Sequence, residues 1–299
     1  MAQGKNKNPE DIKKYVMRLI YRSRKPEIIC DPKVAYSLRK CVSAYTGDCI
    51  RVRRSSDNAE LDIGFDTGIL DTAALLTFCG SGDGFITTWY DQSGNGINAV
   101  QTTTTRQPVI VTGGVISTML TKPTVSFNGS THYFDIPYLS YSGSKLTLFE
   151  VAQKLSTDTV NNSSRFFSTY SDSTYDFSSL GSFVVYANIR TGTNYIGNMR
   201  NSVQVTQSYT AGDIVLIYAG YDGCRRKIAL NGSTLTTSAF SGGFAYTKGR
   251  IGALINSKGG ANAGNFLGGN ISELILFHCD RTEDKATIEN EINTFYSIY

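Results

Sequence analysis

The sequence predicts an all-β protein, a two-sheet antiparallel sandwich carried behind an N-terminal amphipathic helix and closed by a short C-terminal helix. Three observations carry that expectation. Gly, Ser, Thr and Asn abound and only 18% of residues are charged, a composition of strands and turns. Short apolar runs recur along the chain, divided by clusters of Gly, Asp, Ser and Asn. The runs do not alternate with helices as a parallel sheet requires, which leaves antiparallel sheets packed face to face. At 299 residues, one large sandwich plus an arm accounts for the length.

The arm comes first. Asn8-Pro9-Glu10-Asp11 is a helix start: Asn caps, Pro fits the first turn, and the acids face the positive end of the helix dipole. Ile12, Tyr15, Val16, Leu19 and Ile20 then form one apolar stripe flanked by Lys13, Lys14, Arg18 and Arg22. Residues 1–25 hold eight Lys/Arg against two acids, a local +6; subtracting it from the chain's +4 leaves −2 for the remainder. A body of that charge does not bind nucleic acid broadly, so any electrostatic partner meets the arm. The stripe can pack on its own sandwich, dock on another subunit or acidic surface, or lie on a membrane surface. The expected organisation is a basic arm over 1–30 and a sandwich over 31–299, itself divided into blocks 31–121 and 122–299.

From Val34 the period becomes strand-like. Runs at Val34–Leu38, Ile50–Arg54, Leu61–Phe65, Phe85–Tyr90 and Val109–Val111 lead, with one helical insert at Asp71–Phe78 capped by Asp71. Further strands are expected at 124–127, 133–136, 146–153, 165–169, 183–189, 214–221, 227–230, 250–255 and 270–278. Asn128-Gly129, Asp222-Gly223 and Asn231-Gly232 supply hairpin turns. Arg225-Arg226-Lys227 reads as a solvated hairpin edge. Thr282 to Tyr299 reads as the closing helix, with Thr282 as cap and Ile288, Ile292 and Phe295 or Tyr296 on one face.

The run Ile12 to Tyr21 is broken by Lys13, Lys14 and Arg18, so it forms neither a membrane span nor a signal-peptide core, and synthesis in a cytosol is expected. The six cysteines show no C-x-x-C pair, and with two histidines no zinc site is expected; free thiols are the default reading, and no cofactor is called for.

Two groups of motifs carry a resemblance. Lys122-Pro123-Thr-Val-Ser-Phe-Asn-Gly-Ser130, Leu146 to Ala152, Tyr221-Asp-Gly223 with Ile228 to Gly232, Arg250-Ile-Gly252, and Gly269 to Phe277 with its trailing helix resemble, in order and spacing, the concanavalin or laminin-G-like jelly roll. Ala35-Tyr36-Ser-Leu-Arg39, Tyr45-Thr-Gly47, Ile50 to Asp57, Thr77-Phe-Cys79 and Trp89-Tyr-Asp-Gln-Ser-Gly-Asn-Gly96 resemble the N-terminal part of the catalytic domain of glycoside hydrolase family 54, the α-L-arabinofuranosidases. This second block is also similar to one that precedes the same jelly roll in bacteriophage virion, fibre and tail proteins.

The resemblance implies a disulfide from Cys79 to a cysteine five residues on, where this chain has Gly84. It implies a vicinal cysteine pair where Ser164-Arg165-Phe166-Phe167 stands. It places the family's catalytic glutamate at Phe183-Val184-Val185-Tyr186, which holds no carboxylate, while retaining hydrolysis needs two carboxyls about 5 Å apart. The expectation is therefore a non-catalytic virion structural protein, a phage decoration, fibre or tail component rather than an enzyme. It is made in the host cytoplasm and held through residues 1–25 to other virion proteins, with a host-surface glycan as further partner and a homo-oligomer left open. The alternatives are an α-L-arabinofuranosidase-type glycosidase and a secreted lectin or adhesin.

Candidate sites follow from residue types. Tyr138, Tyr141, Tyr170, Tyr175 and Tyr195 lie in or beside polar loops, where a ring can stack on a sugar while its hydroxyl stays wet. Asp91, Ser93 and Asn95, with Gly96, have the oxygen spacing of the first half of a calcium loop, but residue 102 is Thr rather than the closing Glu; the competing reading is a turn that bonds its own backbone. Glu150 and Glu273 interrupt apolar strands as candidate strand-borne acids, each set against a plain ion pair or sheet-edge acid. Asp172 and Asp176 sit in the polar run Ser171 to Ser179.

Overall fold

The computed structural model describes residues 31–157, 163–171, 181–190, 193–255 and 263–299. The predicted N-terminal helix, with Ile12, Lys13, Lys14, Tyr15, Val16, Arg18, Leu19, Ile20 and Arg22, lies outside the described residues, as does Tyr175. The chain is all-β, with antiparallel strands in two layers.

Nineteen strands form one hydrogen-bonded network. In chain order they are β1 (Val34–Ser37), β2 (Ile50–Arg54), β3 (Glu60–Ile63), β4 (Gly84–Trp89), β5 (Ala99–Val100), β6 (Val109–Thr112), β7 (Val115–Ile116), β8 (Val125–Asn128), β9 (Phe134–Ile136) and β10 (Lys145–Lys154). They continue as β11 (Ser163–Tyr170), β12 (Val184–Arg190), β13 (Thr193–Arg200), β14 (Val203–Ser208), β15 (Ile214–Asp222), β16 (Arg225–Leu230), β17 (Thr236–Ala239), β18 (Lys248–Ile251) and β19 (Gly268–Phe277). The front sheet runs β3-β2-β4-β5-β9-β18-β11-β12-β13-β14. In the back sheet β1 and β8 share one edge of β19, and β10, β15, β16 and β17 follow on its other side. β6 pairs with β4 and touches β8 through Ser126 and Val109, which joins the layers at that side.

Alternation along each strand builds the core. Phe134, Ile136, Phe167, Val185, Ile196 and Ile251 point inward from the front sheet, and Leu146, Leu148, Ile217, Leu274 and Leu276 from the back. β10 is buried on both faces. Its outer Phe149 packs at 5.3 Å from Tyr218 and 6.2 Å from Phe277. The C-terminal helix α2 (Lys285–Tyr296) covers that side with Glu289, Ile292 and Tyr296.

Both predicted helices within the described residues exist, with different caps. Asp71 accepts a hydrogen bond from the Ala74 amide at 2.9 Å and starts α1 (Thr72–Cys79). Thr282 does not cap α2: its hydroxyl is taken up by Tyr218 and by Lys227 Nζ, and the helix begins at Lys285. Two expectations are corrected. Only Arg225 of the expected solvated edge is exposed, because alternation turns Arg226 toward the interior while its neighbour Lys227 is held by Asp222. Cys279 is disulfide-bonded, its partner sulfur lying outside the described residues, whereas Cys41, Cys49, Cys79 and Cys224 are free.

Candidate functional site on the outer face of the front sheet

Helix α2 covers the outer side of the back sheet, and the front sheet carries a polar outer face. There the residues between the core-facing ones stand outward. Asp135 lies between Phe134 and Ile136, Arg250 between Gly249 and Ile251, and the two are direct cross-strand partners. Ser168 follows Arg250 in the next strand. Arg250 is almost wholly buried, and its Nε and Nη2 donate to Asp135 Oδ1 at 2.8 and 2.7 Å. Both bonds fall on Oδ1, and 36% of the Asp135 side chain is exposed, so Oδ2 can accept from a ligand. The Tyr133 ring lies 4.3 Å from the Arg250 guanidinium carbon and the Tyr170 ring 5.9 Å from it.

The same face continues across β11, β12 and β13. Arg165 sits 5.3 Å from the Tyr186 ring, and Tyr186 meets Tyr195 edge-on at 6.1 Å. Asn188 Nδ2 donates to the Tyr195 hydroxyl at 2.7 Å, and the Tyr186 hydroxyl bonds Gln204. Gly197 lies opposite Tyr186, and a Cβ there would come within 2.6 Å of the ring. Glycine at that position lets the ring lie across the strand. Burial pushes the Tyr186 hydroxyl pKa up, so it is a neutral donor. The face thus alternates tyrosine rings with arginine, aspartate and asparagine; Tyr133, Tyr170, Tyr186, Arg165 and Arg250 are buried in it, and of these residues Asp135 and Tyr195 are the partly exposed ones.

Of the tyrosines singled out from the sequence, Tyr170 and Tyr195 stand on this face, in rows near its two ends. Tyr138 is 77% exposed and stands apart. Tyr141 is on a two-stranded antiparallel ladder with Phe244–Tyr246, stacked 4.0 Å from His278, whose pKa burial lowers to about 3. Sequence reasoning missed Asp135, Arg250, Tyr133, Arg165 and Tyr186; the signal available was the polar residue alternating with core residues in Phe134-Asp135-Ile136 and Gly249-Arg250-Ile251.

The calcium-like spacing is used for a turn. Asp91 Oδ1 accepts from the Ala35 and Ser93 amides, Oδ2 accepts from the Ser93 hydroxyl and the Ile97 amide, and Asn95 Nδ2 donates to the carbonyls of Pro32 and Lys33. Gln92 adds bonds to Ser37, Arg39 and Cys41. No cluster of His, Cys, Asp and Glu suited to a metal occurs among the described residues.

The two strand acids diverge. Glu273 points outward under α2 and is held by Arg39, Ser37 and Tyr296. Glu150 points into the core, between its cross-strand neighbours Ile217 and Leu274, with both oxygens sealed and without a hydrogen bond. Burial pushes its pKa well above the ordinary carboxyl value. A cleft of about 300 Å³ near Asp66, Asp71 and Lys122 holds no aromatic ring.

The whole sandwich can be compared with solved ones. A structure of a GH54 α-L-arabinofuranosidase soaked with a cyclic sulfate inhibitor matches 87% of this chain with a TM-score of 0.64 at 17% identity. An arabinofuranosidase complexed with arabinofuranosyl-α-1,2-xylobiose matches the same share with a TM-score of 0.66 at 16% identity. The chain shares its fold with these structures. Residues 29–135 also match the family model described as alpha-L-arabinofuranosidase B, catalytic, a stretch that ends on Asp135. This chain spans 62% of the length of those solved arabinofuranosidases. No curated protein sequence matches the chain.

These comparisons overturn the expectation of a non-catalytic virion structural protein, whether decoration, fibre or tail component. The similarity covers 87% of this chain in the solved arabinofuranosidases and residues 29–135 in a catalytic-domain model, and none of the matches described is to a virion protein. The expectation that the chain is not an enzyme rested on Gly84 and Ser164–Phe167 in place of cysteines and on the lack of a carboxylate at Phe183–Tyr186. Two of those residues, Phe183 and Val185, are core side chains, so their lack of charge follows from burial. A vacancy there does not show that carboxylates are missing from the outer face, where Asp135 stands.

Proposed function

We propose that the chain is a glycosidase acting on α-L-arabinofuranosides, with the sugar seated on the outer face of the front sheet around Asp135 and Arg250. The observation that carries this reading is the arabinofuranosidase fold over 87% of the chain, combined with an outward, partly exposed carboxylate anchored by a buried arginine on that face. A furanose ring would seat beside Asp135, with one of its hydroxyls donating to Oδ2. Arg250 fixes the carboxylate, so no reorganisation is needed when substrate arrives.

Hydrolysis of a glycoside proceeds with one carboxyl protonating the leaving oxygen and another acting as nucleophile or activating water. Asp135 is the carboxyl we assign to one role of that pair; Glu60 and Asp62, on the edge strand of the same sheet, are ion-paired to Arg51. The reading is supported by the solved enzyme with a glutamate-to-glutamine change that was soaked with 4-nitrophenyl α-L-arabinofuranoside, which has this same fold. The test is release of 4-nitrophenolate from that compound by the purified chain. Release that is lost in Asp135→Asn supports the proposal; no release by the unaltered chain between acid and neutral pH overturns it.

A further inference from the structure

Inside the sandwich, away from the outer face, two arginines are buried without a counter-charge among the described residues. β15, β16 and β17 set Tyr221, Arg226 and Ser238 in one row of cross-strand neighbours. The row faces inward, since Tyr221 and Ile228 belong to the core. β13 turns Arg200 toward it from the front sheet, two residues beyond Asn198, which donates to the carbonyl of Lys227 at 2.9 Å and so ties the layers together. The two guanidiniums lie 5.2 and 5.9 Å from the Phe240 ring, and Tyr221 packs 4.6 Å from Phe240 and 4.8 Å from Phe244.

Arg200 is 8% exposed, Arg226 6% and Tyr221 0%. Arg226 Nε and Nη1, Arg200 Nε and the hydroxyls of Tyr221 and Ser238 are all sealed from water without a hydrogen-bond partner. Each of them can donate, and the guanidinium nitrogens can only donate. The nearest acid in sequence, Asp222, is bound to Lys227 at 2.9 Å, and among the described residues neither arginine is paired with a carboxylate. Burial raises the Tyr221 pKa, and Arg226 and then Arg200 act against that rise, which places both charges within electrostatic reach of the hydroxyl. Contact with an aromatic face recovers only part of what a guanidinium loses on leaving water. Such a cluster is stable when something negative completes it.

We propose that Arg200, Arg226, Tyr221 and Ser238 form a binding site for a small oxyanion of the phosphate or sulfate class. The site stands independently of the reading of the outer face, because it shares no residue with it. The ligand meets two fixed positive charges and two hydroxyl donors, and binding it ties β13 of the front sheet to β16 and β17 of the back.

The test compares melting temperatures of the full chain in phosphate, sulfate and chloride at equal ionic strength. Binding to the folded state raises the midpoint, by about 3 °C or more when the anion is well above its dissociation constant. Phosphate or sulfate is expected to give that rise over chloride, and Arg226→Met to remove it while melting no lower than the unaltered chain in chloride. An equal effect of all three salts, or a rise that survives in Arg226→Met, overturns the proposal. Should that variant fail to fold, equilibrium dialysis of the unaltered chain against phosphate decides: about one phosphate per chain supports the site, and none overturns it.

Discussion

Arg39 grips Glu273 through two parallel hydrogen bonds, Nε to Oε2 at 2.7 Å and Nη2 to Oε1 at 2.8 Å. The carboxylate is fully buried and the guanidinium side chain is 10% exposed. The pair fastens the segment after β1 to β19 beneath α2.

Removing one partner of this pair leaves the other as an uncompensated buried charge. Arg39→Met is expected to cost about 3–5 kcal/mol of stability, and Arg39→Met with Glu273→Leu to recover most of it. Urea unfolding of the single and double variants measures both values.

Glu150 gives a pH dependence. Its folded-state pKa lies above the ordinary value of 4.5, so between the two the folded chain holds a proton that the unfolded chain has lost. The stabilising contribution is complete below the unfolded value and is lost as pH rises toward the folded one, by about 1.4 kcal/mol per pH unit. Glu150→Gln is expected to flatten this slope and raise stability near pH 7. Denaturant midpoints from pH 4 to pH 8 would show it; an unchanged slope would contradict the assignment.

Gly84 lies where a Cβ would be 2.8 Å from Cys79 Sγ. That separation suits a disulfide, in which each Cβ lies about 3 Å from the opposite sulfur. Gly84→Cys is expected to crosslink with Cys79 and, by the chain-entropy estimate for so short a loop, to add about 2 kcal/mol. Thiol titration of the unfolded protein and melting with and without reductant check it.

Asp135→Asn keeps the shape of the side chain and removes the charge that Arg250 holds. A drop in kcat/KM of about 100-fold or more is expected on 4-nitrophenyl α-L-arabinofuranoside, assayed well below a melting temperature that also falls because the buried Arg250 loses its counter-charge. Arg250→Lys, which cannot present the same two donors, is expected to reduce kcat/KM as well.

Much of the sandwich was legible because its strands carry strong local signals. The apolar run of β10, the alternation in β9 and the Asn231-Gly232 turn, where both residues take positive φ, each announce themselves. β13 and β14 did not, since Thr-Asn-Tyr-Ile-Gly-Asn-Met-Arg and Val-Gln-Val-Thr-Gln-Ser mix polar residues into strands that end a sheet. The site was harder still. Asp135 and Arg250 are 115 residues apart, and nothing local to either predicts their pairing. The burial of Arg226 was hidden for a different reason: three consecutive cations look solvated until strand alternation and a partner sheet decide which of them faces inward.

The loop of Asp91 to Asn95 also has a mechanical consequence. Its side chains hold Pro32, Lys33 and Ala35 at the same point where β1 lies against β19. Tension entering the sandwich at residue 32 therefore loads the loop bonds and the β1 ladder together, in shear. The entry point resists pulling as a clasp does, instead of opening like a zip.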